Sequence, residues 1–96
     1  MSTYVLSNRA REDLREIWSY TADRWGVSQA DRYVRGLHRA MEVVANDPDR
    51  ARACDHVRPG YRKYSVAAHV LFIRVIAGGV EVVRILHQRM DFERHL

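Results

Sequence analysis

The stretch His69-Val70-Leu71-Phe72-Ile73-Arg74-Val75-Ile76, Ala77-Gly78-Gly79, Val80-Glu81-Val82-Val83-Arg84-Ile85-Leu86 decides how the chain folds. Two runs rich in β-branched residues flank a glycine pair, which is the pattern of a β-hairpin. With Gly78-Gly79 as the two loop residues, Ala77 faces Val80, Ile73 faces Arg84, Arg74 faces Val83, Phe72 faces Ile85 and Val70 faces His87. Directly opposed residues share a face. One face then carries Val70, Phe72, Arg74, Val83, Ile85 and His87, and the other Leu71, Ile73, Val75, Val82, Arg84 and Leu86. A one-residue slip would regroup them all. Both faces are apolar, so one is expected to cover helices and the other to be a groove for a second protein. The second strand runs into His87-Gln88-Arg89-Met90-Asp91, which puts a titratable ring and cations at the rim of the sheet.

Working back from the hairpin, Arg58-Pro59-Gly60 is a turn signal and Tyr61-Arg62-Lys63-Tyr64-Ser65 a further strand. Residues 48–58 form a polar connector without a clear period. Earlier still the period is helical. Ala10, Leu14, Ile17, Trp18, Thr21 and Trp25 recur at steps of three and four, with Arg9, Arg11, Glu12, Asp13, Arg15 and Glu16 on the remaining surface. Ser7 or Asn8 is the N-cap and Gly26 the stop. A second helix begins at the Ser28 cap, with Asp31 completing a capping box. It carries Ala30, Tyr33, Val34, Leu37, Met41 and Val44 on one stripe and ends at Asn46-Asp47-Pro48. Tyr4-Val5-Leu6 is a short first strand, and a turn of helix is expected beyond Gln88. The expected fold class is α+β, in one domain over residues 1–96. Its order is an N-terminal strand, a two-helix antiparallel hairpin, a three-stranded antiparallel meander in one sheet (β-α-α-β-β-β) and a short C-terminal tail.

Bulk properties narrow the function. The chain has 96 residues, 47% hydrophobic and 29% charged, which is ordinary for a folded domain. The lone Cys54 excludes an internal disulfide framework and suits a reducing cytosol. No apolar run approaches the ~20 residues of a membrane helix. The start, Met1-Ser2-Thr3-Tyr4-Val5-Leu6, lacks the basic and apolar regions of a signal peptide. A cytoplasmic location without membrane contact is therefore expected. The charge is +4, from 16 Lys+Arg against 12 Asp+Glu. Lys63 is the only lysine, and arginine suits bidentate contact with carboxylate or phosphate. His38, His56, His69, His87 and His95 show no helical ligand spacing, so no metal or other cofactor is expected. Asp31 and Arg35 suit a surface pair, while Arg35 and Arg39 repel and hint at an acidic partner.

Several motifs in this order and at this length resemble the RelE/ParE superfamily of type II toxin–antitoxin toxins, and its ParE branch most. They are Ile17-Trp18 with Tyr20, Trp25-Gly26 with Gln29-Ala30 and Tyr33, Arg58-Pro59-Gly60-Tyr61-Arg62-Lys63, His69-Val70-Leu71-Phe72 with Arg74, and residues 82–91. The resemblance implies a toxin encoded beside a ParD-like antitoxin that has a DNA-binding part and a flexible segment wrapping the toxin. It implies DNA gyrase as the target, an even heteromer (a heterotetramer or larger), and contact with operator DNA only through the antitoxin. On this reading the protein is not an enzyme. Trp18, Trp25, Arg58, Arg62, Lys63, Arg74, Arg84, His87 and Arg89 are the candidate antitoxin- or target-binding residues. Packing of both tryptophans against the sheet is the plainer expectation, and anchoring of the antitoxin the sharper one. The alternative is a RelE-like ribosome-dependent endoribonuclease in which Arg74 holds the scissile phosphate and His87 titrates. That alternative lacks a second convincing acid or base.

Overall fold

A computed structural model describes residues 3–96; Met1 and Ser2, the first part of the signal-peptide reading, lie outside the described residues. The order is β1 (Thr3–Leu6), α1 (Asn8–Trp25), α2 (Val27–Asn46), a single 3-10 turn (Pro48–Arg50), β2 (Arg52–Ala53), β3 (Tyr61–Val66), β4 (His69–Ile76), β5 (Gly79–His87) and α3 (Phe92–His95). The expected α+β class and its strand–helix–helix–meander order are what the chain adopts. One five-stranded sheet runs β1-β5-β4-β3-β2.

The helix signals act locally. The Ser7 side-chain oxygen accepts from the Ala10 N–H, capping α1. Gly26, at φ 92°, ends α1 and starts α2 by itself. With one residue between the helices, Ser28 falls inside α2 and the expected capping box does not form. Asp31 instead accepts a hydrogen bond from Trp18 Nε1 at 2.9 Å, clamping the two helices near their shared turn. The α2 stripe reaches the core through Ala30, Leu37, Ala40, Met41, Val44 and Ala45.

Two further differences concern the sheet. The expected connector contains a two-residue strand, β2, antiparallel to β3. β3, β4 and β5 form the expected antiparallel meander, but β1 runs parallel to β5, so the sheet as a whole is mixed. The hairpin register also differs from expectation. The loop is Ala77-Gly78, one residue earlier, and Ile76 faces Gly79. Val75 therefore faces Val80 and Arg74 faces Glu81. A bulge between Phe72 and Ile73 absorbs Val83, after which Phe72 faces Arg84, Leu71 faces Ile85, Val70 faces Leu86 and His69 faces His87.

The physical reason for the loop shift is β1. A Cβ on Gly79 would lie 1.7 Å from the Thr3 carbonyl oxygen. Gly79 is needed as a strand residue that lets β1 approach, and so is unavailable to the loop. Leu71, Ile73, Val80, Val82 and Ile85 consequently face the helices, where they pack with Leu14, Ile17, Leu37, Met41 and Val44.

The opposite face is not an empty groove. Val70, Phe72 and Leu86 pack there with the buried Cys54, beneath Val57, Tyr61, Phe92 and Leu96. The Phe72 and Phe92 rings meet edge to face with centroids 4.8 Å apart. Arg58 donates to the Leu96 carbonyl and lies over the Tyr61 ring, tying this cover down. The chain's own tail thus occupies a surface where the sequence suggested a partner.

Candidate functional site: a cleft at the open edge of β5

β1 stops at Leu6, opposite Val82, but β5 continues to His87. Along this excess the sheet edge has no neighbouring strand, and α1 crosses it instead. The Ser7 hydroxyl donates to the Val83 carbonyl at 2.7 Å, and Asp13 Oδ2 accepts the Ile85 N–H at 2.9 Å. Asp13 so takes the place of the missing strand at one ladder position. It also holds Arg84 through two bonds, Nε to Oδ2 at 2.9 Å and NH2 to Oδ1 at 3.0 Å. Arg84 NH1 reaches the His95 carbonyl at 2.7 Å. Asp13 and Arg84 are 8% and 9% exposed, so Asp13 is not on the solvated face of α1. The guanidinium is held even more firmly protonated than usual, chiefly by its bond to Asp13.

Past Ile85 the edge opens into a cleft of about 280 Å³ lined by Ile17, Tyr20, Ile85, His69, His87 and Met90, among others. N–H and C=O of one strand residue point the same way and alternate along the strand. Since the Ile85 N–H faces α1, the Ile85 carbonyl and the His87 N–H face this cleft as well. Tyr20, 60% exposed, stands on its wall with Arg24 stacked 5.0 Å over its ring. At the helical turn, Trp25 and Val27 are 71% and 56% exposed.

The cleft floor ends in a histidine pair. The His69 and His87 rings meet at 80° with centroids 5.4 Å apart. Tyr33 places its hydroxyl 2.7 Å from His69 Nδ1 while accepting the Ala68 N–H. His87 Nδ1 accepts the Arg89 N–H at 3.1 Å, which assigns its own proton to Nε2. Burial holds His69 below the usual imidazole range. His87 adds to this and Asp13 opposes it.

A histidine whose folded pKa is depressed binds its proton more readily when unfolded, so stability rises with pH in this window. Full stability is expected above the unfolded value of ~6.5, with progressive loss as pH falls below it toward the depressed folded value. Urea unfolding near neutrality and near pH 5 measures this. His69→Gln should shrink the difference between the two midpoints, and an undiminished difference would refute the assignment to His69.

The sequence-derived candidates do not converge on one place. His87 lines the cleft, and Arg89 is exposed in the turn beyond it. Arg84 borders it but is committed to Asp13. Trp18 is half-buried and bonded to Asp31, whereas Trp25 points into solvent. Packing of Trp25 on the sheet is therefore overturned, because the buried face of α1 ends at Ile17 while its apolar periodicity runs on. Arg58 holds the C-terminal tail. Arg62 donates to the Ala51 carbonyl at 2.6 Å and approaches Asp49 at 3.6 Å. Lys63 lies on β3 opposite Arg52. Arg74 pairs with Glu81 at 2.5 Å near the hairpin tip. His87 is six residues farther along β5 than Glu81, about 20 Å at a strand's rise. The expected juxtaposition of Arg74 and His87 does not occur, since the displaced loop and the bulge remove the register that produced it. Among the described residues no group of three His, Cys, Asp or Glu side chains is placed to hold a metal ion. No helix there is long and apolar enough to cross a membrane.

Asp13 is the residue that sequence reasoning missed. Its signal was present: it stands three after Ala10 and four before Ile17, on the apolar stripe itself, while Arg84 interrupts an apolar strand.

A mixed sheet with a helical hairpin on one face and an open edge beside the first helix has a counterpart among solved structures. The solved structure of a chromosomal ParDE toxin–antitoxin system from P. aeruginosa contains a chain of this fold, with a TM-score of 0.78, 17% identity, and coverage of 91% of this chain and 96% of that one. The family profile described as ParE toxin of type II toxin-antitoxin system, parDE, matches residues 4–92, and the chain belongs to this family. It is 53% identical over 96 residues to Toxin ParE1 of Mycobacterium tuberculosis (strain ATCC 25618 / H37Rv), covering 99% of this chain and 98% of the relative. It is 43% identical to Toxin ParE1 of Caulobacter vibrioides (strain ATCC 19089 / CIP 103742 / CB 15), over 100% and 99% of the two chains.

Proposed function

We propose that this ParE-family toxin acts by binding DNA gyrase and blocking replication, without catalysing a reaction of its own. A ParD-like antitoxin neutralises it by laying an apolar segment into the cleft between α1 and the open edge of β5. The observation that carries the antitoxin contact is the combination at that cleft of an apolar wall, exposed Tyr20 and unpaired strand backbone groups. An extended or amphipathic segment satisfies all three, through main-chain bonds along the edge and side chains in the cleft. Such a segment folds as it binds and can cover a large surface of a small protein. Antitoxin dimers would make the complex an even heteromer.

Stoichiometric inhibition, rather than RNA cleavage, is supported by the inventory of groups. Arg74 is paired with Glu81 and remote from His87, and His69 is biased toward its neutral form. Acid–base cleavage needs a base, an acid and cations around one phosphate.

Supercoiling assays with purified gyrase test the target. Inhibition at near-stoichiometric toxin supports the reading; unaffected gyrase together with messenger RNA cleavage on translating ribosomes would replace it with the endoribonuclease. Tyr20→Asp tests the cleft. Because Tyr20 is largely exposed, the variant should fold and keep its toxicity, while antitoxin affinity falls at least about tenfold, or ~1.4 kcal/mol. Unchanged affinity would move the antitoxin elsewhere.

A further inference from the structure

The edge of the sheet farthest from the cleft carries an unexplained concentration of positive charge. Arg52 on β2 and Lys63 on β3 are directly opposed. Like charges at opposed positions of an antiparallel pair destabilise it. Arg50 joins them, and Arg50, Arg52, Lys63, Tyr64 and Ser65 line a hollow of about 310 Å³. Among the described residues neither Arg52 nor Lys63 has a carboxylate within 4.0 Å. Of the nearby acids, Asp47 meets Arg50 itself at 3.6 Å, with both side chains exposed, and Asp49 meets Arg62 at 3.6 Å, so Arg52 and Lys63 are the two cations of the hollow without a carboxylate. A two-residue edge strand that places its arginine against the only lysine in the chain is not built for stability.

We propose that this hollow binds the phosphodiester backbone of a nucleic acid, without sequence preference. Arg52 and Lys63 bring two cations without a carboxylate to one hollow, with Arg50 beside them, and the Ser65 hydroxyl is a phosphate donor of the ordinary kind. The lining holds no aliphatic side chain to anchor a peptide, so an acidic protein segment would gain little buried area there. A phosphate needs none. The hollow lies at the opposite edge of the sheet from the cleft beside β5, so a toxin occupied by antitoxin at that cleft keeps it open. The inference does not rest on the gyrase reading, because nucleic-acid binding and gyrase inhibition are separate measurements.

Fluorescence anisotropy of free toxin with a labelled DNA duplex and with a labelled single-stranded RNA tests it. Titrations between about 50 and 200 mM salt give the dependence of affinity on counterion release. Removing two phosphate contacts in the double variant R52A/K63A should flatten the log–log salt slope for duplex DNA by about 1.8, and by about 1.4 for a single strand. R35A/R39A removes the same charge from the exposed face of α2 and should leave the slope unchanged. The melting temperature of R52A/K63A should equal or exceed that of the parent, since a repulsion is relieved. The relative affinities for duplex and RNA identify which nucleic acid supplies the backbone. Absence of binding to either at low salt, or equal losses in both double variants, overturns the proposal.

Discussion

Arg84→Ala is expected to lose about 3–5 kcal/mol of folding stability, the usual consequence of stranding one partner of a buried ion pair. Asp13, 8% exposed in the parent, would lose its counter-charge. A domain of this kind has ~5–15 kcal/mol in all, so the variant would be marginal at best. Each kcal/mol corresponds to about 4–8 °C near this size, so melting should fall by more than ~12 °C. Among the described residues no buried side-chain nitrogen or oxygen lacks a partner, and the substitution would break that condition at its most demanding point.

Asp13→Ala should cost a similar amount by leaving the guanidinium buried and the Ile85 N–H without its acceptor. The apolar double variant D13L/R84M separates the two causes. Removing both charges relieves the electrostatic penalty. The Ile85 N–H still loses its partner, worth about 1–3 kcal/mol, so recovery should be incomplete. Urea unfolding of the four proteins measures the set. A loss below ~1 kcal/mol in Arg84→Ala would mean that water reaches this pair.

Gly79→Ala is the second substitution with a large expected effect. The added Cβ would lie 1.7 Å from the Thr3 carbonyl oxygen, 2.7 Å from its carbonyl carbon and 2.9 Å from its nitrogen. These are backbone atoms of the paired strand, so no side chain can rotate away. Overpacking usually costs ~1–3 kcal/mol, and here relief requires that β1 leave β5 at Thr3, so the cost should reach or exceed the top of that range. Gly78→Ala provides the contrast. Nothing stands within 4 Å of its would-be Cβ, and only its positive φ of 79° opposes the change. Hydrogen exchange should then show opening confined to the Thr3 end of the β1–β5 ladder in Gly79→Ala, with the ladder intact in Gly78→Ala. Equal stability of the two variants would contradict the close approach of β1.

Local chemistry accounts for what could be read along the chain. Ser7 caps α1 because its oxygen meets a helical N–H three residues on, and Gly26 stops it because a left-handed residue is needed there. β4 spans His69–Ile76, as its β-branched run requires. The sequence by itself therefore determined the main helices and strands, their order and the family, but not the two-residue β2, which exists only through its pairing with β3. It did not determine which face each side chain took. Gly79 reads as a turn residue until β1 arrives beside it from seventy-odd positions earlier in the chain, and that single displacement, with the bulge at Val83, separates Arg74 from His87. Asp13 reads as one more surface charge until the end of β1 leaves the Ile85 N–H unpaired. Trp25 reads as core until the sheet ends beneath Ile17. Register, edge exposure and the reach of a helix beyond its sheet depend on contacts between residues distant in the chain, and a periodicity within one element cannot report them. The cleft exists for that reason: β1 is shorter than β5, and only tertiary pairing turns that difference in length into an open edge.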